Sequence, residues 1–265
     1  MTFAQPASHA DTSDDRERGS QAVHRVLRIL RCWTVEDGAL SLTEIAQRTR
    51  LTLPTAHRMI KALQRETFLV QDSVSGRYAL GPTVMDLARA LLQRADQDEL
   101  AVTAIPHLER MRAITGETVG LHVPLGDLRL CVAELVSMQP IRTATGVGRT
   151  FPLPAGASGK ILVAWSEERF QISAKSTGSS EDERKKLLSE LYQIRRRRYA
   201  TSSGETIPGA AALALPIFGP NEDVRAAINI TGPTSRWTKQ VMLGHLAALT
   251  EETESISSQL GHRTP

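Results

Sequence analysis

Two cysteines in 265 residues, Cys32 and Cys131, set the first exclusions. They stand far apart among apolar neighbours, Leu30 and Trp33 around one, Leu130 and Val132 around the other. No CxxC pair or Cys/His ligand spacing accompanies them, which removes structural zinc and a disulfide framework. Two such thiols suit a reducing compartment, and a cytoplasmic location is the expectation. No stretch approaches the roughly 18 uncharged apolar residues of a membrane span. The amino-terminal segment has no apolar core of the signal-peptide kind, because Asp11 to Arg18 is mostly charged. Residues 1–19 are expected to form a disordered tail.

The signatures of catalysis are missing as well. There is no G-x-S-x-G elbow, no H-E-x-x-H and no pair of catalytic carboxylates. The seven histidines (9, 24, 57, 107, 122, 245 and 262) are scattered without metal spacing. The string Gly156 to Lys160 is not a phosphate loop: Pro154 holds the place of its first glycine, and Ile161 follows the lysine instead of Ser or Thr. No enzymatic activity, cofactor or metal is expected.

What remains is ordinary in amount and uneven in distribution. Apolar residues make up 41% and charged residues 23%, as in a soluble globular protein of one large or two ordinary domains. The net charge is only +3. Between Ser20 and Pro82, however, nine cations face five anions, so the positive excess sits in about a quarter of the chain. That is the electrostatic footprint of a nucleic-acid-binding module.

The same segment carries the matching periodicities. In residues 21–31, Val23, Val26, Leu27 and Leu30 fall at helical spacing, with Arg25, Arg28 and Arg31 off the stripe. After a break at Glu36-Asp37-Gly38, Ser41 followed three residues later by Glu44 is a capping box. It starts a second helix near Leu42 that ends near Thr49 and buries Leu42, Ile45 and Ala46. A third helix begins after Thr52, with Pro54 in its first turn, where a missing amide costs little. Ala56, Ile60 and Leu63 face the core and leave Thr55, His57, Arg58, Lys61 and Gln64 on other faces. Phe68–Val70 and Arg77–Leu80 then read as strands around a turn-rich connection. Two short helices and a hairpin wing make a winged helix-turn-helix, whose second helix enters the major groove. Such modules also serve as protein-interaction adaptors; the cationic balance favours DNA.

At these residues the chain resembles the IclR-type (isocitrate lyase regulator) transcription factors. The amino-terminal match runs through Leu42-Thr43-Glu44-Ile45-Ala46, Leu51, Thr55-Ala56-His57-Arg58, Leu63 and Tyr78-Ala79-Leu80-Gly81-Pro82. Further matches are Thr115–Val119, Pro152-Leu153 with Ala157, Gly159 and Lys160, Tyr199-Ala200 with Glu205, Pro208-Gly209, Ala214 and Pro216, and Ile230–Pro233. The resemblance spans about residues 20–261. The chain departs from it at three places: Arg50 and Arg198 stand where the family carries glycine, and Pro154 and Gly156 replace a histidine and a threonine.

From Thr83 a helical stripe of Val84, Leu87, Ala88, Leu91 and Leu92 reads as a linker, and Ile105, Leu108, Met111 and Ile114 mark another amphipathic helix. Strand-like runs follow at Glu117–Pro124, Arg129–Ser137, Leu213–Phe218 and Ala226–Ile230, with a turn at Leu125-Gly126-Asp127. A helix from Glu181 to Arg197 opens on acids and closes on Arg195–Arg198, matching the helix dipole at both ends. A last helix runs from Arg236 to Leu260, with Val241, Leu246, Leu249, Ile256 and Leu260 on its apolar side, and stops at Gly261.

The expected architecture is α+β: tail 1–19, winged helix-turn-helix 20–82, linker helix 83–96 and effector-binding domain 97–263. The resemblance implies that this last domain is GAF-like, with a ligand cleft beside its sheet. It also implies a regulator assembled as dimers or dimers of dimers on an operator, answering to a small organic or aromatic acid. The expected DNA-contact set is Ser41, Thr43, Thr52, Thr55, His57, Arg58, Lys61 and Arg77. The loop Ala155-Gly156-Ala157-Ser158 offers amides and a hydroxyl at a helix start, which suits an anion. By family position, Ser202, Ala212 and Asn229 join it as effector-facing residues.

Overall fold

The computed structural model describes residues 12–34, 37–92, 97–176, 178 and 180–262. It divides between residues 95 and 96 into two units, each with its own core.

In the first unit, α1 (Thr12–Leu30), α2 (Leu42–Thr49) and α3 (Leu53–Arg65) precede β1 (Leu69–Gln71) and β2 (Tyr78–Leu80), and α4 (Pro82–Leu92) follows. Of the expected tail, residues 1–11 lie outside the described residues, and α1 already begins at Thr12. The core-facing stripe of α1 is shifted from the expected one. Ile29 is fully buried, with Val26, Leu30 and Trp33 packed beside it, whereas Val23 and Leu27 are exposed. This is the same i, i+3, i+4, i+7 spacing started three residues later.

α2 opens on the expected capping box: the Glu44 amide donates to Ser41 Oγ (3.2 Å), and the Ser41 amide donates to Glu44 Oε2 (2.7 Å). It ends at Arg50, which takes the left-handed φ of 53° and lets the Leu51 amide reach the Ala46 carbonyl at 3.0 Å. Ala56, Ile60 and Leu63 of α3 are buried as their spacing predicts, and Met59 joins them. Thr52 stands at the N-cap position but caps nothing with its side chain; its hydroxyl donates to Thr55 Oγ1 at 2.9 Å. The wing strands pair antiparallel, Leu69 opposite Leu80, and Leu40 bridges to Tyr78 beside them. At Gly81 the chain leaves the wing so close to Thr67 that a Cβ would lie 2.1 Å from its carbonyl oxygen. In α4, Val84 and Ala88 are half-buried and Leu87 is exposed; the side chains of Leu91 and Leu92 lie outside the described residues.

The second unit begins with α5 (Gln97–Thr115), β3 (Thr118–Leu125), β4 (Leu128–Leu135), β5 (Thr150–Pro152) and α6 (Gly156–Ala164). It continues through α7 (Glu167–Ser176), α8 (Glu181–Arg197), β6 (Ala200–Ser203), β7 (Ala210–Phe218), β8 (Val224–Pro233), α9 (Lys239–Gly244) and α10 (Leu246–Gln259). The six strands form one sheet in the order β5-β4-β3-β8-β7-β6, with every neighbouring pair antiparallel. α5 and α10 pack on one face, where Leu108, Met111, Val119, Leu213, Ile228, Ile230 and Trp237 make the main core. α6 and α8 cover part of the other face through Ile161, Leu162, Leu191, Ile194 and Ala214. Helices on both faces of an antiparallel sheet give the α+β class.

Three expectations change here. On α5 the buried line is Leu100, Ala104, Leu108 and Met111, whereas Ile105 and Ile114 are exposed. The expected last helix is two helices, broken at Gly244–His245, and Met242 is buried in place of Val241. β5 and β6 were not expected as strands. α8 conforms: Ser180 and Glu183 cap its start, three arginines fill its last turn, and Arg198 ends it at a left-handed φ of 58°. No helix among the described residues is long and apolar enough to cross a membrane.

Candidate functional site

The first candidate surface is the outer face of α3. Anchoring Ala56, Met59, Ile60 and Leu63 in the core turns His57, Arg58 and Lys61 to solvent. All three are exposed and hold no ion pair among the described residues. Thr43 on α2 is exposed too, while Thr55 is half-buried and engaged with Thr52. Two expected DNA contacts are committed elsewhere. Ser41 is spent on the capping box. Arg77 turns inward, donating from Nε to the Ala39 carbonyl at 3.0 Å and from Nη2 to Glu44 Oε2 at 2.8 Å. The Ser41 amide and hydroxyl, joined by Arg77, lower the Glu44 carboxyl to about 2.

The second candidate is a small, partly open cleft on the α6 side of the sheet. Its lining comes from β4, β5, the start of α6, β6, the β6–β7 connection, β7 and β8. Gly156, Ala157, Ser202, Ala212 and Asn229 all line it, so five of the seven expected effector residues come together from four separate segments. The other two stand behind the wall. The Ala155 carbonyl accepts from the Arg129 guanidinium, and the buried Ser158 hydroxyl shares a hydrogen bond with His122 Nδ1 at 2.9 Å.

The start of α6 is not an open anion slot. The Gly156 amide donates to Glu205 Oε2 at 3.1 Å, and the Ala157 amide donates to Ser202 Oγ at 3.1 Å. Glu205 Oε1 also accepts from Lys160 Nζ (2.9 Å), which reaches Glu190 as well (2.9 Å). Burial alone would lower the Lys160 pKa; its two carboxylate partners outweigh that and raise it. A side chain of the protein therefore occupies the position that the helix dipole offers to a carboxylate.

The cleft side of the sheet holds residues that the sequence reading passed over. Arg129 of β4 is 4% exposed and packs its guanidinium 4.8 Å from the Phe151 ring centroid. Burial pushes its pKa down to about 10, which leaves it a cation. His122 of β3 is pushed down to about 3 by burial, with nearby Arg129 adding to the effect, so it is neutral. Arg129 Nε, His122 Nε2 and Asn229 Oδ1 are all buried without a hydrogen-bond partner. Asn229 was expected here by family position; the sequence signal for Arg129 is its place as the lone cation in the apolar run Leu128-Arg129-Leu130-Cys131-Val132. Cys131 is no reactive thiol: burial, with Glu134 nearby, pushes it up to about 12. No group of three or more metal-ligating side chains occurs among the described residues.

Comparison with known proteins agrees with both units. The family model described as IclR helix-turn-helix domain matches residues 22–73, and that described as bacterial transcriptional regulator IclR C-terminal matches residues 92–258. The chain is 28% identical over 252 residues to the HTH-type transcriptional repressor AllR of Escherichia coli (strain K12), covering 92% of each. It is 30% identical over 252 residues to the HTH-type transcriptional regulator BhcR of Paracoccus denitrificans, covering 92% of this chain and 89% of that one. Its fold matches the crystal structure of an IclR homolog complexed with 4-hydroxybenzoate from Microbacterium hydrocarbonoxydans. There the TM-score is 0.70 at 22% identity, over 90% of this chain and 98% of that one. A helix-turn-helix unit with a cationic second helix, followed by a domain with a polar cleft, fits a DNA-binding regulator under ligand control and not an enzyme. The chain belongs to the IclR family of bacterial transcriptional regulators.

Proposed function

We propose that the exposed face of α3 reads an operator in the major groove and that the α6 cleft takes a small organic acid which shifts operator affinity. His57, Arg58, Lys61 and Thr43 are the proposed contacts to base edges and phosphates. Thr52, Thr55, Ser41 and Arg77 hold those side chains in place. Gly156, Ala157, Ser202, Ala212 and Asn229 are the proposed effector-facing residues, with Ala155 and Ser158 supporting them. The observation that carries the reading is the cleft: Gly156, Ala157, Ser202, Ala212 and Asn229 converge on it, and Arg129 Nε and Asn229 Oδ1 in its wall are buried without a partner among the described residues. The aromatic acid bound by the Microbacterium hydrocarbonoxydans homolog supports a carboxylate of that size. Dimers or dimers of dimers in the cytoplasm, on a roughly palindromic site, complete the reading.

Fluorescence anisotropy tests it, with DNA from upstream of the protein's own gene against a shuffled duplex at near-physiological salt. A specific regulator binds its site about 10³–10⁷-fold tighter than random sequence. A set of small carboxylic acids is then screened for release or tightening of that complex. A differential ligand must bind the two conformations unequally to have this effect. Equal, weak binding to both duplexes, unchanged by every acid, would reject the proposal for this operator.

A further inference from the structure

The cleft contains an unmatched buried charge. Arg129 is nearly inaccessible, its Nη1 is used by the Ala155 carbonyl, and its Nε has no acceptor. No carboxylate forms an ion pair with it among the described residues. Glu205, the acid beside it, is already held by Lys160 and the Gly156 amide. Taking a cation out of water without an anion is costly, and a bound carboxylate offsets that cost best when a planar fork meets it.

The neighbouring vacant atoms lie along the same face. Arg129 is paired with Pro124 in the β3–β4 ladder, His122 stands two residues back on β3, and Gly120 two further is paired with Asn229 of β8. At Gly120 a Cβ would come within 3.3 Å of His122 Nε2, so the glycine lets the imidazole lie over the strand. Asn229 donates to Thr231 Oγ1 at 2.6 Å and keeps the other end of its amide free.

We infer that Arg129 is the counter-ion of the effector carboxylate and sets the specificity of the cleft for anions, while Asn229 reads a hydrogen-bonding group elsewhere on the same molecule. The inference rests on the cleft being the effector site, and it assigns the carboxylate to the strand cation in place of the amides at the start of α6. Those amides stay with Glu205 and Ser202. The ligand class is therefore a carboxylate that also bears a hydroxyl, amino or amide group. A neutral analogue leaves the Arg129 charge unmatched and binds poorly.

Acetate and acetamide, equal in shape and different in charge, are the probes, with sodium chloride at matched ionic strength as control. The full chain is titrated with each while the Arg129 Nε–H resonance and the unfolding temperature are followed. Acetate is expected to saturate at millimolar concentration, since so few atoms carry little affinity, and acetamide to bind about tenfold more weakly or worse, the range of a charge-assisted hydrogen bond. Arg129→Met is expected to abolish the difference between them. Should that variant fail to fold, Arg129→Lys keeps the charge without the fork and is expected to bind acetate more weakly than the parent yet still in preference to acetamide. Acetate acting no differently from chloride, acetamide matching acetate, or a folded Arg129→Met that keeps the preference would each overturn the assignment. A neutral compound that alters operator binding equally in the parent and in Arg129→Met would overturn only the role of Arg129 and leave the cleft as effector site. Operator binding that answers to no small molecule at all would remove the cleft reading itself.

Discussion

Arg77 and Glu44 clasp the wing to the start of the second helix, Nη2 to Oε2 at 2.8 Å, with the Ala39 carbonyl as a second acceptor of the same guanidinium. An arginine at the base of a wing reads, in sequence, as a phosphate contact. Its geometry makes it a brace, and this separates it from Arg58. Arg58→Ala is expected to weaken operator binding by about 1–3 kcal/mol and to relax specificity at one base pair. Arg77→Ala is expected to cost operator affinity less and to leave base preference unchanged. Anisotropy against a panel of single-base operator variants checks both; the two variants behaving alike would place Arg77 on the DNA.

Acid should loosen the same corner. Glu44 titrates at about 2 in the folded chain against 4.5 for the free side chain, held down by the Ser41 amide and hydroxyl and by Arg77. A depressed carboxyl contributes stability that is fully present above its unfolded value and is lost as pH falls through its folded one. The window thus runs from about 4.5 down to about 2. The protection factors of the α2 amides, which divide out the intrinsic pH dependence of exchange, are expected to fall across that window in the parent and to change less in Glu44→Gln, which keeps the cap but carries no charge. An equal fall in both would assign the loss to other groups.

Arg50 and Arg198 end α2 and α8 at φ values of 53° and 58°, in the left-handed conformation that favours glycine. For a residue with a Cβ this conformation costs roughly 1–2 kcal/mol, part of which glycine gives back through its freer unfolded chain. Arg50→Gly and Arg198→Gly are each expected to raise stability by up to about 1 kcal/mol. Urea midpoints measure the gain. A loss at either position would mean that the arginine side chain contributes more than its backbone strain removes; for Arg198 the contact at stake is with Phe218, 5.4 Å from its ring centroid.

Gly81→Ala should act in the opposite direction. Its Cβ would meet the Thr67 carbonyl oxygen at 2.1 Å, and the obstacle is backbone, which cannot rotate away. A loss of about 2 kcal/mol or more in the first unit is expected, as for other overpacked sites. Operator binding at elevated temperature should fail before any change at low temperature. An unaffected unfolding profile would mean that the wing can re-route.

The parts legible in sequence were those where local chemistry and tertiary packing agree. Ser41 with Glu44, and Pro54 after Thr52, marked the two helices of the DNA-binding module to within a residue, because caps are local. β5 and β6 escaped notice because three or four residues are too few to display alternation. The break at His245 was hidden by apolar residues that keep helical spacing across it. On α5, Ile105 and Ile114 look as apolar as Leu108 and Met111, and only the direction of the sheet decides which pair is covered. Motif position brought Gly156, Ala157, Ser202, Ala212 and Asn229 to one cleft. It could not find Arg129, whose meaning depends on burial beside Phe151 and on the neighbouring Glu205 being held by Lys160 and the Gly156 amide.

The central strands of the second unit face both ways at once. Asn229 and Thr231 of β8 look into the cleft, while Ile228 and Ile230, on either side of Asn229, press on the core that holds Leu108 and Met111 of α5. The sheet is thus a partition a single backbone thick, with close-packed side chains on its far side and no slack to absorb a displacement. A molecule that draws Asn229 toward Arg129 would move its two isoleucine neighbours with it. The helix they lean on is α5, so a displacement at Asn229 would reach α5 before it reached the far edge of the sheet.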